Sequence, residues 1–292
     1  RKEEFTSSNP RHPTVIELKT GVKKDGSLLV REGRLLYDTG AFAGMGPMVA
    51  NIGARYTKGP YRIPHLKVDA YCVYTNKTSP GLCRGAGNPQ ATFASESQID
   101  IIASELGIDP VAFRFMNGVE EGDLSATGQV LRGVGFKKTL EVAAEKARWG
   151  ERASVKGWGK GVGCMQYETG GMGSSCWMRL NEDGSFSLIT GVVDLGQGSS
   201  TVLKLMAAEA LGVSWEDLTL SVGDTDIAPY DLGTGADRIT FSMGNAVLAA
   251  AGELKTQLFL VAAGMLEANP DDLEIEGKRI SVKGSLEKGI GL

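Results

Sequence analysis

The segment GVVDLGQGSSTVLKLMAAEALG, residues 191–212, sets Gly196, Gln197 and Gly198 ahead of Ser199, Ser200 and Thr201 and then runs into an amphipathic helix. A tight turn needs one glycine. Two glycines around a long amide, followed by three hydroxyls, are suited to holding a ligand against the main chain, because glycine admits close approach. The first N–H groups of a helix lack internal partners and lie at the positive end of its dipole. The chemistry on offer is recognition of an anion or of a ligand rich in acceptors. The same build recurs at Gly81–Gln90 (GLCRGAGNPQ) and at Gly233–Gly244 (GTGADRITFSMG).

Each loop also has an ordinary reading. A single glycine loop before a helix is usually a connector. Ser199, Ser200 and Thr201 are N-cap residues by type, Arg84 a surface arginine, and Gln197 a solvated loop residue. Three such loops, all with polar side chains beside the glycines, favour a ligand site without naming the ligand.

Familiar alternatives fit poorly. There is no Gly-x4-Gly-Lys-Ser/Thr, and GKGVGC and GTGADR lack the register of a dinucleotide fingerprint. No Gly-x-Ser-x-Gly elbow exists, and two histidines, His12 and His65, leave a hydrolytic triad or a zinc site little to recruit. VGDTDIAPYD, with Asp224, Asp226 and Asp231, lacks calcium-loop spacing, and it reads with Asp237 as a solvated acidic face.

The elements that position these loops follow from pattern. TVIELKTGVKKDGSLLVREGRLLYDTG alternates about Asp25-Gly26 and predicts a hairpin. HLKVDAYCVYTN puts Leu66, Val68, Ala70 and Cys72 on one face of a half-buried strand. A helix is predicted from Pro89 to Leu106, with Phe93, Ser97, Ile101 and Ser104 near one line and Gly107 as its stop. Residues 118–161 read as a linker region with one helix at Thr139–Arg148, which places a boundary near Trp149–Gly159 and domains at 1–150 and 151–292. Beyond it come a hairpin at Asp183-Gly184, a helix over 200–211, the strand LTLSVGD, a long helix after the third loop, and a last hairpin in LEIEGKRISVKG. Strands and helices intersperse without strict alternation, so the expected class is α+β.

Composition bounds the function. The 292 residues suffice for one large or two medium domains, and 40 glycines are about twice the usual roughly 7%. A net charge of −4 with scattered Lys and Arg argues against nucleic acid. No apolar run is read as approaching the roughly 20 residues of a bilayer span. Without a leader pattern, Cys72, Cys83, Cys164 and Cys176 are expected reduced, in a cytoplasmic protein. Arg1 in place of methionine, and the ending GSLEKGIGL without an element that closes a domain, suggest a fragment.

DLGQGSSTVLKLMAAEALGV, TSPGLCRGAGNPQATFASESQIDIIA and GTGADRITFSMGNAV resemble, in order and spacing, three segments of the molybdenum-binding large subunit of the xanthine dehydrogenase and aldehyde oxidase family. They are its Gly-Gln-Gly segment, its Arg-Gly-x-Gly-x-Pro-Gln loop and its later cofactor loop. The resemblance runs over nearly the whole chain. It implies molybdopterin-binding domains, incomplete at both ends, and a molybdopterin cofactor in dinucleotide form. Gln197 would then bond the molybdenum centre or dithiolene. Gly196, Gly198, Ser199 and Thr201 would cradle the cofactor, Arg84 and Gly85 would face the molybdenum ligands, and Gly235, Ala236 and Asp237 would contact the cofactor from the third loop.

In that family a molybdenum-bound hydroxide attacks an electron-poor carbon and electrons leave through iron–sulfur clusters and FAD on partner domains or subunits. The implied activity is oxidation of an aldehyde or N-heterocycle. The family's Phe-Gly-Gly loop would lie upstream of Arg1 and its glutamate base beyond Leu292, so the resemblance implies no catalytic residue in this chain and an inactive fragment; Glu253 is not that base. The substrate-pocket positions that the resemblance implies are Ala86, Gln166 and Tyr167. Ala86 and Gln166 replace a phenylalanine pair and argue against a purine, and Gly85 after Arg84 argues against carbon monoxide. The alternative from another class is a non-catalytic module that binds a different phosphorylated ligand or assists assembly. Small-molecule substrate and electron-transfer subunits are the implied partners, and a homo-oligomer is compatible with the sequence.

Overall fold

The computed structural model describes residues 2–151 and 155–292. They divide into two compact units, Arg1–Tyr167 and Glu168–Leu292. This division lies C-terminal to the expected 150/151 boundary, and residues 152–154 of that stretch are outside the described set. The physical reason is that residues 163–167 pack on the first unit. The Cys164 N–H donates to Glu96 Oε2 at 2.6 Å, and Asn88 Nδ2 donates to the Gln166 carbonyl at 3.0 Å.

The first unit runs α1 (Lys2–Ser7), β1 (Thr14–Val22), β2 (Leu28–Asp38), α2 (Gly46–Tyr56), β3 (His65–Val73), α3 (Asn88–Leu106), α4 (Pro110–Asn117) and α5 (Phe136–Lys146). β1 and β2 form the predicted antiparallel hairpin, with Asp25 accepting from the Ser27 N–H and Gly26 at φ +90°. β3 then pairs parallel to β2, Val30 opposite His65 and Asp38 opposite Val73. A parallel pair needs a crossover, and α2 supplies it.

Sequence reading gave strands throughout this third of the chain and missed α2. GPMVANIGARY is poor in helix formers, so the helix depends on packing rather than propensity. Val49 and Ala50 pack on Leu35 and Tyr37, and a side chain at Gly53 would meet the Tyr37 hydroxyl at 1.8 Å.

α3 starts at Asn88 with Pro89 in its first turn and stops at left-handed Gly107, close to the prediction. Its buried face is Asn88, Ala91, Ser95, Glu96, Ile99 and Ala103, whereas Phe93 and Ile101 point outward. The inside of this unit is strongly polar. Arg31 Nη1 donates to the Thr57 carbonyl at 2.7 Å and to Ser95 Oγ at 2.6 Å. Glu96 accepts from Tyr61 Oη at 2.6 Å and from Arg114 Nε at 2.9 Å. Arg31 and Arg114 are both fully buried, which is tolerable only because each is hydrogen-bonded.

The second unit runs β4 (Cys176–Leu180), β5 (Phe186–Thr190), α6 (Ser199–Leu211), β6 (Leu218–Val222), α7 (Gly244–Leu266), β7 (Leu273–Glu276), β8 (Arg279–Val282) and β9 (Ser285–Gly291). β4 and β5 are antiparallel, and β6 lies parallel to β5 after the α6 crossover. Phe186, Leu188, Leu203, Ala207, Leu211, Met243, Val247 and Ala251 fill the space between this sheet, α6 and α7. The final residues, expected to lie outside any element, form β9 against β8. A π-helical turn, Ile239–Met243, leads into α7. The helix Ile239–Leu266 is long and apolar enough to cross a membrane by length and composition. It carries Glu253 and Lys255, and Val247, Ala251, Ala262 and Ala263 are buried in the cores of this unit. Both units mix parallel and antiparallel pairs or strands with helices, the α+β class the sequence predicted.

Candidate functional site

The first glycine loop joins β3 to α3. Gly85 and Gly87 have φ of +84° and +77°, so the chain reverses twice within four residues. Gly87 is held against α2: an added Cβ would meet the Val49 carbonyl at 2.4 Å. The Ala86 N–H donates to the Cys83 carbonyl and the Asn88 N–H to that of Gly85. The main-chain N–H groups of Arg84 and Gly85 find no acceptor among the described residues. Arg11 Nη2 donates to the Arg84 carbonyl at 2.7 Å and fixes the loop from its other side.

The three residues expected to line a substrate pocket, Ala86, Gln166 and Tyr167, lie near the same loop. Ala86 packs beside Tyr37 and Val49. The Asn88 side chain bridges from the start of α3 to the Gln166 carbonyl, with its Oδ1 taken by Thr92 Oγ1 at 2.5 Å. Tyr167 stacks on Tyr56, centroids 6.1 Å apart and planes at 11°.

The second loop is built differently from expectation. Gly198 at φ +83° is the N-cap, and Ser199 already belongs to α6, so none of the three hydroxyls caps the helix. Asp194 does the capping. Its Oδ1 accepts from the Gly196 N–H at 2.8 Å and the Gly198 N–H at 3.2 Å, and its Oδ2 from the Ser200 N–H at 3.1 Å. These donors hold the Asp194 carboxyl below the usual carboxylate range. Gln197 folds back as well, Oε1 accepting from the Leu195 N–H at 2.6 Å and Nε2 donating to Ser199 Oγ at 2.9 Å. Three of the predicted unpartnered donors, the Gly196, Gly198 and Ser200 N–H groups, are therefore satisfied by the loop's own carboxylate, while those of Ser199 and Thr201 have no acceptor among the described residues. What stays open is the surface over Gly196 and Gly198, where an added Cβ would meet nothing within 4 Å. Thr201 is exposed on the first turn.

The third loop, between β6 and α7, lies against the second: Thr234 Oγ1 donates to the Val193 carbonyl at 2.5 Å. Gly233 and Gly235 are open, and Ala236 and Asp237 are left-handed at φ +49° and +55°. Such conformations cost roughly 1–3 kcal/mol each in non-glycine residues and persist only where surroundings impose them. The N–H groups of Ala236 and Asp237 have no acceptor among the described residues.

Beneath them lies Asp231, expected on a solvated face; its side chain is in fact fully buried, 2.7 Å from Arg238. Burial pushes the Asp231 carboxyl up, but hydrogen bonds from Arg238, Ser174 and the Gly233 N–H outweigh it and hold the group below its ordinary value. Sequence reasoning missed Asp194, Asp231, Arg238 and Asn88. Asp194 and Asp231 left a local signal, since Asp two residues before a glycine marks an Asx turn, at Gly196 and Gly233 here.

Two family models, each described as a molybdopterin cofactor-binding domain, match residues 1–118 and 135–291. The chain belongs to the molybdopterin cofactor-binding domain family. It is similar to the xanthine dehydrogenase molybdenum-binding subunit of Escherichia coli O157:H7, 33% identical over 94% of this chain and 38% of the relative. The nicotinate dehydrogenase large molybdopterin subunit of Eubacterium barkeri is 44% identical over 50% of this chain and 35% of its own length. Among solved structures, quinoline 2-oxidoreductase from Pseudomonas putida 86 superposes with a TM-score of 0.86 at 26% identity, covering 99% of this chain and 40% of that one. The chain thus spans about two fifths of the relatives it matches.

Proposed function

We propose that this chain contributes the molybdopterin-holding part of a molybdenum hydroxylase that oxidises an aldehyde or nitrogen heterocycle. The observation that carries the reading is the pair of loops whose main-chain donors stay unpartnered, Arg84 and Gly85 before α3 and Ala236 and Asp237 before α7. Donors of that kind suit a pterin with its phosphate, which is rich in acceptors and anionic. When bound, the cofactor supplies the two-electron redox chemistry and activates the oxygen that enters substrate.

The chain's own residues bind and orient. Gly85, Gly196, Gly198 and Gly235 keep the approach to the main chain free of side chains. Gln197 and Ser199 hold the second loop closed, with Thr201 on its helix. Ala86, Gln166 and Tyr167 line the substrate side of the first unit, Tyr167 being fixed by its stack on Tyr56. The relatives named for quinoline and nicotinate support a flat heterocycle, and the relatives described as subunits support assembly with partner subunits; iron–sulfur and FAD proteins in the cytoplasm are the partners proposed. Metal and pterin analysis of the purified protein tests the reading. Stoichiometric molybdenum with pterin fluorescence is expected, and their absence from correctly folded protein would remove it.

A further inference from the structure

Arg238 is 2% exposed, yet among the described residues no side chain in the second unit collects more acceptors. Its Nη1 donates to Asp231 Oδ1 at 2.7 Å and to the Gly233 carbonyl at 2.9 Å. Its Nη2 donates to Ser174 Oγ at 2.6 Å and to the Gly173 carbonyl at 2.9 Å. Ser174 Oγ in turn donates to Asp231 Oδ2 at 2.6 Å, and residues 174 and 231 also pair through their backbones. The guanidinium therefore ties the start of the third loop to the strand leading into β4. The two left-handed non-glycine residues, Ala236 and Asp237, immediately precede it in the chain, and the π-helical turn follows it. The Ala236 carbonyl is taken by the Gly170 N–H at 2.6 Å, so the loop is held from below at both ends.

We infer that the buried Arg238–Asp231–Ser174 cluster is a positioning device that forces Ala236 and Asp237 left-handed and so turns their N–H groups outward toward the cofactor. This rests on the reading that the third loop faces that cofactor. An alanine and an aspartate would relax to ordinary helical or extended backbone if the chain were free, and their N–H groups would then point elsewhere. A planar fork with several fixed donors can hold a carboxylate and two carbonyls at once, which a lysine ammonium on a flexible stem does not reproduce. The cluster touches neither cofactor nor substrate in this scheme. It acts through backbone geometry alone.

The test is made on the intact protein and its first readout is cofactor content. Arg238→Gln is expected to lower molybdenum and pterin per protein at least tenfold while amide exchange in β5 and α6 stays as in wild type. Adding Ala236→Gly and Asp237→Gly to that variant should return at least half of the lost content, because glycine adopts the left-handed conformation without a clamp. A generally structural arginine would not be rescued in this way. Normal cofactor content in Arg238→Gln, or a folded variant that the two glycines do not rescue, overturns the inference.

Should Arg238→Gln fail to fold, Ser174→Ala removes one bond of the cluster. Exchange of the Gly170 amide should then quicken at least fivefold, and unchanged exchange counts against the clamp. If wild type itself carries no molybdenum or pterin, the functional reading falls. The backbone couplings of Ala236 and Asp237 in Arg238→Gln still decide the clamp: a change to negative φ upholds it and retained positive φ overturns it.

Discussion

The two units repeat one chain path, a hairpin, a crossover helix and a third strand parallel to the second, and they fill it differently. In the first unit the crossover loop opens with Asp38, whose Oδ1 accepts from the Gly40 N–H at 2.9 Å and from Thr75 Oγ1 at 2.6 Å. Lys77 completes it at 2.8 Å, and these bonds hold the carboxyl at about 2. In the second unit Asp194 makes the same turn on Gly196 but spends its remaining capacity on the first turn of α6. One local motif, Asp-x-Gly, makes the turn in both. In one case it straps the loop to the segment after β3, and in the other it neutralises a helix start. The interiors differ too: buried Arg31, Glu96 and Arg114 bond within the helices and sheet of the first unit, whereas the second has an apolar core between sheet, α6 and α7 and keeps its buried Arg238–Asp231 pair under the third loop. A shared path therefore does not imply a shared site, because the spare valences of a few carboxylates and arginines decide what each loop can still bind.

That contrast can be broken most severely at the cores. Glu96→Ala leaves Arg114, the Tyr61 hydroxyl and the Cys164 N–H without their buried partner, and should destabilise the first unit by about 3–5 kcal/mol. Leu203→Ala in the second unit should cost about 2–5 kcal/mol through a cavity. Replacing Glu96 and Arg114 together by apolar residues of similar size should recover most of the first loss, whereas no second substitution of that kind exists for Leu203. Denaturant melts followed by exchange within each unit would separate the two.

Glycine substitutions come next. Gly87→Ala combines left-handed strain of roughly 1–2 kcal/mol with a clash against the α2 backbone worth about 1–3 kcal/mol more. Gly198→Ala faces open space and should show the strain alone. Equal losses in thermal melts would mean that the two loops are equally crowded.

The two units should also respond differently to acid. Burial lowers the pKa of His12 and outweighs the opposing pull of Asp38, so the folded first unit binds this proton less readily than the unfolded chain does. Its stability should be complete above the unfolded value of about 6.5 and decline as pH falls below it. Both histidines of the chain, His12 and His65, lie in the first unit, so the second should hold until its carboxylates protonate below about pH 4. His12→Leu should remove the first decline, as exchange measured across pH 5–7 would show.

The mildest perturbation is Gln197→Ala. It frees the Leu195 N–H and Ser199 Oγ, and should reduce cofactor retention or turnover in the intact enzyme without altering either core. Normal molybdenum content and turnover would place Gln197 outside the site.

Much of the scaffold is legible in the residues. Asp25-Gly26 and Asp183-Gly184 mark hairpins, Pro89 and Gly107 bracket α3, and the three glycine loops each precede a helix, because these signals act within a few residues. α2 was illegible because its glycines and β-branched residues become helical only by packing on Leu35 and Tyr37. The parallel pairings were illegible too, since pairing partners lie dozens of residues apart.

At the site, the sequence by itself determined where the main chain can be approached closely, since only glycine at 85, 196, 198 and 235 leaves no Cβ in the way. Which donors remain free was decided only in three dimensions. Asp194 closes the second loop on itself, while Arg238 and Asp231, seven positions apart and both buried, leave the Ala236 and Asp237 N–H groups unspent. A hydrogen-bonding group has one geometry to spend, and the folded chain settles where it is spent.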